Sequence, residues 1–203
     1  MIETIIFDFG NVFINIDIDG AQKHALETFN IKSLSDEMLA FNSFYEQGLI
    51  STSEFIDFYA ENFPKLTKEI LIDTWNCILK DFPKHRLDFL KQLKATNKYK
   101  LILLSNTNEL HINWIKQHVL FYEDFKNCFD AFYLSHEINL VKPNTDIFEF
   151  VLNENKLKPE TCLFIDDNAD NIKTASNMGI SSWHIKPDKD DVVDLFKIKN
   201  DLF

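Results

Sequence analysis

A chain of 203 residues, 45% of them hydrophobic and 20 of them Phe, is long enough for one core with an insertion or for two small domains. Its formal charge of −11 excludes a surface built to replace counterions along a nucleic-acid backbone, yet leaves room for a small phosphorylated ligand held through a divalent cation. No apolar run approaches the roughly 20 residues of a membrane span.

The first element is a strand, Ile2 to Phe7, that runs straight into Asp8-Phe9-Gly10-Asn11-Val12. A carboxylate at the tip of a buried strand, followed at once by a tight turn, is where a covalent nucleophile belongs. The start of this strand at residue 2 leaves no room for a signal peptide. From 16 to 84 the patterns are helical only: Ser51-Thr52-Ser53-Glu54 is a capping box opening a helix with Phe55, Phe58 and Tyr59, and Leu71, Trp75, Ile78 and Leu79 mark another. Apolar runs return at 100–105, 130–134, 161–165 and 182–185, separated by helical patterns over 107–119, 145–153 and 169–178. This alternation predicts an α/β fold, a doubly wound parallel sheet with a helical cap inserted after the first strand. The core is expected at 1–15 and 85–203, and the cap at 16–84. Cys77, Cys128 and Cys162 make no C-x-x-C and read as reduced thiols of a cytoplasmic protein.

In such a sheet, ligands sit outside the carboxyl ends of the strands. Asp8, Ser105 and Asp166-Asp167 all fall there. Three clustered carboxylates call for a cation, and Mg²⁺ fits all-oxygen ligation by one or two carboxylates and a substrate phosphate. The expected ligands are Asp8, the Gly10 carbonyl and Asp167, with Asp166 acting through water or hydrogen bonds. Lys142, stiffened by Pro143, would neutralise the attacking carboxylate and the phosphoryl oxygens. Ser105 and the N–H groups of Asn106 and Thr107, where a helix begins, would cradle the phosphate, as would the turn at Gly10 and Asn11. Taken singly, Asp166-Asp167 also reads as a solvated turn, Lys142-Pro143 as a surface loop and Ser105 to Asn108 as a helix cap.

In this order and spacing the four segments resemble the haloacid dehalogenase superfamily of phosphatases and phosphomutases, over essentially the whole chain. That resemblance implies a Rossmann-like core, a cap of the kind inserted after the first strand, Mg²⁺, and an aspartyl-phosphate on Asp8. More narrowly, Asp8 to Val12, Leu104 to Asn108 with His111, and Phe164 to Ile172 look like the bacterial α-D-glucose-1-phosphate phosphatase branch, which shares Gly at position 10. The commonest version of the turn carries a second Asp there. Asn139 also departs from the pattern, standing where a Gly is common before the Lys-Pro pair.

General acid/base help contributes roughly 10²- to 10⁴-fold, so esters with good leaving groups suffer least from its loss. A small sugar 1-phosphate is therefore the expected substrate. Asp17, at the cap hinge, and His111, in the first turn after the phosphate cradle, are the candidate replacement proton donors, with His136 behind them. Competing readings are a degenerate protein that binds a phosphorylated ligand or partner without turnover, favoured only by Gly10, and a phosphomutase, which needs the missing acid. A dehalogenase is opposed by the retained acidic pair and by the lack of any Arg before Arg86. Phe41, Phe44, Tyr45, Glu46 and Gln47 are offered as cap contacts. The expected partner is a small phosphorylated metabolite, not nucleic acid or membrane, and the expected assembly is a monomer or homodimer.

Overall fold

The computed structural model describes residues 1–203. The apolar runs become five strands: β1 (Thr4–Phe7), β2 (Lys100–Ser105), β3 (Ala131–Leu134), β4 (Cys162–Asp166) and β5 (Ser181–His184). All pair in parallel in the spatial order β3-β2-β1-β4-β5, with Ile5 opposite both Leu101 and Leu163. The helices α5 (Lys84–Ala95), α6 (Glu109–His118), α7 (Tyr122–Lys126), α8 (Ser135–Ile138), α9 (Thr145–Asn155), α10 (Ala169–Asn177) and α11 (Leu195–Ile198) supply the crossovers and the end of the chain.

Successive strand residues face opposite sides of the sheet. Ile5, Phe7, Leu101, Leu103, Leu163 and Ile165 therefore pack with Leu87 and Leu90 of α5, Ile115 of α6 and Phe125 of α7. Ile6, Ile102, Leu104 and Phe164 pack on the other side, with Ile147, Phe148 and Val151 of α9 and Ala175 of α10. Coverage on both faces explains why the central strands are continuously apolar. Chain direction around the sheet reverses at β1, between β2 and β4, and the crevice beyond their carboxyl ends lies there.

Between β1 and α5 stand α1 (Ile18–Phe29), α2 (Asp36–Glu46), α3 (Thr52–Asn62) and α4 (Lys68–Asn76). Ser51 and Glu54 form the capping box that opens α3. The four helices bury an aromatic cluster of their own: Phe29 stacks on Phe63 at 4.5 Å and Tyr45 on Phe55 at 4.2 Å. The insert leaves and returns through two paired segments. Asn15 and Asp17 donate to the carbonyls of Asp81 and Ile78, Lys80 donates to Asn15, and Ile16 bridges Leu79.

The helix after β2 begins at Glu109 rather than 107, because the Asn108 side chain accepts from the His111 N–H and makes Asn108 its N-cap. The three cysteines are free thiols, and no helix is long and apolar enough to cross a membrane.

Candidate active site

Asp8 follows β1 directly, and its Oδ1 lies 2.8 Å from Lys142 Nζ. The same ammonium donates to Asp166 Oδ2 at 2.7 Å and to the Leu104 carbonyl at 2.9 Å, and it stands 5.4 Å from the Phe164 ring centroid. Two carboxylates and a carbonyl surround this ammonium, and what it brings to the crevice is its charge. Burial works to lower this ammonium, but Asp166 and Asp8 outweigh it and hold it above the ordinary Lys range. Burial, joined by the charges of Asp166 and Asp167, pushes the Asp8 carboxyl up to about 7 against the pull of Lys142.

Asp166 is fully enclosed. Besides Lys142 it accepts from the Asn168 N–H at 2.7 Å and from Asn171 Nδ2 on both oxygens, at 3.1 and 3.0 Å. This carboxylate organises the site through hydrogen bonds. Asp167 is more open, and its Oδ2 accepts from Asn11 Nδ2 at 2.8 Å. Burial raises its carboxyl despite that hydrogen bond.

Asn11, expected at the phosphate, makes its hydrogen bonds within the protein. Its side chain links Asp167 to the Ile16 N–H, its own N–H donates to the Ile14 carbonyl, and it sits at φ 55, where Asn is tolerated better than most residues. The N–H groups of Phe9 and Gly10 have no backbone acceptor, and no backbone N–H reaches the Gly10 carbonyl.

The cradle after β2 is also smaller than the sequence predicts. Ser105 remains, but the Thr107 N–H donates to Ser135 Oγ at 2.9 Å and is removed from the set. The Asn106 side chain is engaged reciprocally with Lys142, Nδ2 donating to its carbonyl and Oδ1 accepting from its N–H, both at 2.9 Å. Asn106 thus aims Lys142 and offers a phosphate only its own N–H.

Both candidate proton donors have other work. Asp17 is the N-cap of α1, accepting from the Gly20 N–H at 2.8 Å and lying 3.7 Å from Lys80. His111 is held between Asn108 Nδ2 on Nδ1 and the Trp75 carbonyl on Nε2, which fixes the neutral ring with its proton on Nε2. Burial pushes it down to about 4, so it has no proton to give at neutral pH. His136 sits 3.2 Å from the Thr107 carbonyl and is likewise lowered by burial.

Sequence reasoning found the charged residues at the strand ends but gave no role to Asn171 or Ser135 and placed Asn11 at the phosphate rather than on Asp167. Asn171 carries a signal: an amide five residues past a strand-end Asp falls back on its carboxylate when a helix starts between them, here capped by the Asn168 side chain.

Carboxylate oxygens of Asp8, Asp166 and Asp167 lie within 4.8 Å of one another, with the Gly10 carbonyl in the same turn as Asp8. Oxygen-only donors of net negative charge suit a hard divalent cation such as Mg²⁺. Over residues 2–179 the chain matches the family described as "Hydrolase: haloacid dehalogenase-like hydrolase". The D-ribitol-5-phosphate phosphatase of Bacteroides thetaiotaomicron is 27% identical over 194 residues, covering 90% of this chain and 91% of that one. A solved HAD family enzyme from Bacteroides thetaiotaomicron, in complex with magnesium, is 32% identical with a TM-score of 0.84 over 97% of this chain and 98% of that one. Its wild-type protein in complex with magnesium and inorganic phosphate gives a TM-score of 0.80 at 32% identity, over 94% and 97% of the two chains.

Proposed function

The chain belongs to the haloacid dehalogenase-like hydrolases, and on that footing we propose that it cleaves a small polyol or sugar phosphate through an aspartyl-phosphate on Asp8. It is a phosphatase of phosphate monoesters, with Mg²⁺ as its cofactor. The observation that carries the residue assignment is the Lys142 ammonium, bonded at once to Asp8 at 2.8 Å and to Asp166 at 2.7 Å beside Asp167. A buried cation on a strand-end carboxylate opposes the effect of burial by favouring the ionised form, and it aims the oxygen, which is what a nucleophile needs.

An Asp8 oxygen attacks phosphorus as the bond to the leaving oxygen breaks, and water then cleaves the acyl phosphate. The Ser105 hydroxyl and the N–H groups of Asn106, Phe9 and Gly10 point donors at the phosphoryl oxygens. Asp8, the Gly10 carbonyl and Asp167 would hold Mg²⁺, which would supply positive charge to those oxygens. Residues 16–84 act as the cap that covers the leaving group.

The motifs from Asp8 to Val12 and from Phe164 to Ile172 favour an anomeric sugar 1-phosphate. The named relative instead handles a 5-phosphate, the ester of a primary alcohol. Shared by both is a small leaving group rich in hydroxyls, and that is the class proposed.

Phosphate release from D-ribitol 5-phosphate, α-D-glucose 1-phosphate, acetyl phosphate and p-nitrophenyl phosphate, with Mg²⁺ and with chelator, tests the reading. Release should need Mg²⁺, favour the hydroxylated esters in kcat/KM, and fall to background in Asp8→Asn. Wild-type turnover by Asp8→Asn would overturn the nucleophile. A preference for the unhydroxylated esters would overturn the substrate class.

A further inference from the structure

We propose that the Glu46 carboxyl group, carried into the site on α2, is the general acid and base of this phosphatase, moving the proton for which position 10 has no side chain. The proposal rests on the aspartyl-phosphate reading above and adds one residue to it.

Position 10 supplies no acid. A Cβ built on Gly10 would lie 3.1 Å from Ile16 Cδ1, so a side chain there would require Ile16 to give way by a few tenths of an ångström. Asp17 caps α1 and His111 is neutral between two partners. The three carboxylates at the strand ends are engaged with Lys142, Asn171 and Asn11. Yet an alkyl phosphate expels an alkoxide, which leaves slowly unless a proton meets it.

Glu46 ends α2, and the turn after it is fastened to the core. Ser135 Oγ lies 2.6 Å from the Glu46 carbonyl and 2.9 Å from the Thr107 carbonyl, tying Glu46 to the loop that follows Ser105. Asn139 Nδ2 donates to the carbonyls of Gln47 and Gly48 at 3.0 and 3.2 Å, and Gln47 Nε2 returns to the Asn139 carbonyl at 3.1 Å. Gly48 is required here twice over: its φ is +71, and a Cβ would sit 2.1 Å from the His136 carbonyl. The backbone at Glu46 is therefore held beside the phosphate loop.

The Glu46 side chain is half-buried, and no hydrogen bond or ion pair within the protein satisfies it. A half-buried carboxyl group with no protein partner is free to meet a ligand at this edge of the site. Lys142, the cation bonded to Asp8, is the one charge that registers on it. Glu54, Asp57 and Glu61 on α3 and His136 and Glu137 on α8, the elements packed against α2, do not. Burial raises the Glu46 carboxyl against the pull of Lys142, which favours the protonated form an acid must start from.

The steps balance. As the Asp8 oxygen bonds to phosphorus and the phosphorus–alkoxide bond breaks, the Glu46 O–H proton passes to the leaving oxygen and the alcohol departs. Glu46, now a carboxylate, takes a proton from the water that attacks phosphorus. The acyl-phosphate P–O bond breaks, releasing phosphate and the Asp8 carboxylate, with Glu46 protonated again.

The test compares wild type, Glu46→Gln and Glu46→Asp on D-ribitol 5-phosphate and on p-nitrophenyl phosphate with Mg²⁺ present. In Glu46→Gln, kcat on the alkyl ester should fall by about 10²-fold with KM little changed. The burst of p-nitrophenolate should keep its rate, because that leaving group needs no proton, while the steady state after it slows. Glu46→Asp, which keeps the acid, should recover part of the alkyl-ester rate. Equal losses in burst and alkyl turnover would make Glu46 structural, and a change in KM alone would make it a binding contact; either overturns the proposal. Loss of the burst in Asp8→Asn is the separate check on the aspartyl-phosphate reading.

Discussion

Asn11 shows how one amide sets the geometry of the acidic cluster. Its side chain holds Asp167 Oδ2 at 2.8 Å from one end and the Ile16 N–H at 3.1 Å from the other, while its backbone takes φ 55. Two substitutions separate these duties. Asn11→Gly keeps the backbone free but releases Asp167, and loss of such an outer partner weakens metal binding by roughly 10- to 100-fold. Asn11→Ala does the same and adds a left-handed alanine, at a further cost of about 1 kcal/mol. Mg²⁺ titration of phosphatase activity and urea unfolding read the two effects; unchanged Mg²⁺ affinity in Asn11→Gly would remove Asn11 from the metal site. Asp8 and Asp166 were legible in the sequence because each is a charge at the end of an apolar run, and Lys142 because its Lys-Pro pair falls between the third and fourth runs. The sequence did not show that the Asn11 side chain holds Asp167 or that the Asn106 side chain holds the Lys142 backbone, because an amide's partner is chosen in three dimensions. Nothing in the linear order says that Asn106 faces the Lys142 backbone.

The insert is docked on the core through α6. Leu110 lies in the insert's aromatic cluster, its N–H donates to Tyr45 Oη at 3.1 Å, Thr52 hydrogen-bonds Glu109, and Trp75 stacks on His111 at 5.9 Å. The sequence disclosed the helical character of the insert and the capping box at Ser51. It did not disclose α7, α8 or α11, since a helix of one turn has no 3.6-residue periodicity to detect. Nor could it tell that the His111 face of α6 meets the insert. Burial lowers His111 from 6.5 to about 4. Between those values the unfolded chain takes up a proton that the folded chain refuses, so stability falls as pH falls through this window and is fully present above it. The loss approaches the order of 3 kcal/mol by the bottom of the window. Urea unfolding of wild type and His111→Gln from pH 7 to 4 measures it as the difference between two curves. Parallel curves would mean that the docking contact tolerates the charged ring.

At the scale of the whole molecule, the single Arg of the chain connects parts that the sequence keeps far apart. Arg86, buried at the start of α5, donates through Nη1 to the Phe13 carbonyl at 3.2 Å and to Asn15 Oδ1 at 2.9 Å, and through Nε to Asp191 at 3.3 Å. Those partners belong to the turn after Asp8, the stem of the insert and the segment before α11. The alternation of strands and helices predicted the parallel sheet, because each crossover is local. Arg86 gave no such signal, since its value lies in joining residues 71 and 105 positions away in the chain. A planar fork reaches several acceptors at once, which a Lys ammonium on a flexible stem does not reproduce. Arg86→Met should therefore destabilise the fold by about 3 kcal/mol, the lower end for breaking a buried pair, because Asp191 keeps partial access to water. Arg86→Lys should recover only part of that. Both variants, assayed well below their unfolding midpoints, should retain Mg²⁺-dependent phosphate release, because Arg86 touches the frame around Asp8 and not the reacting groups. A change within about 0.5 kcal/mol in Arg86→Met would show that the sheet and stem hold the turn unaided. Full stability with lost activity would instead put Arg86 in control of where Asp8 points.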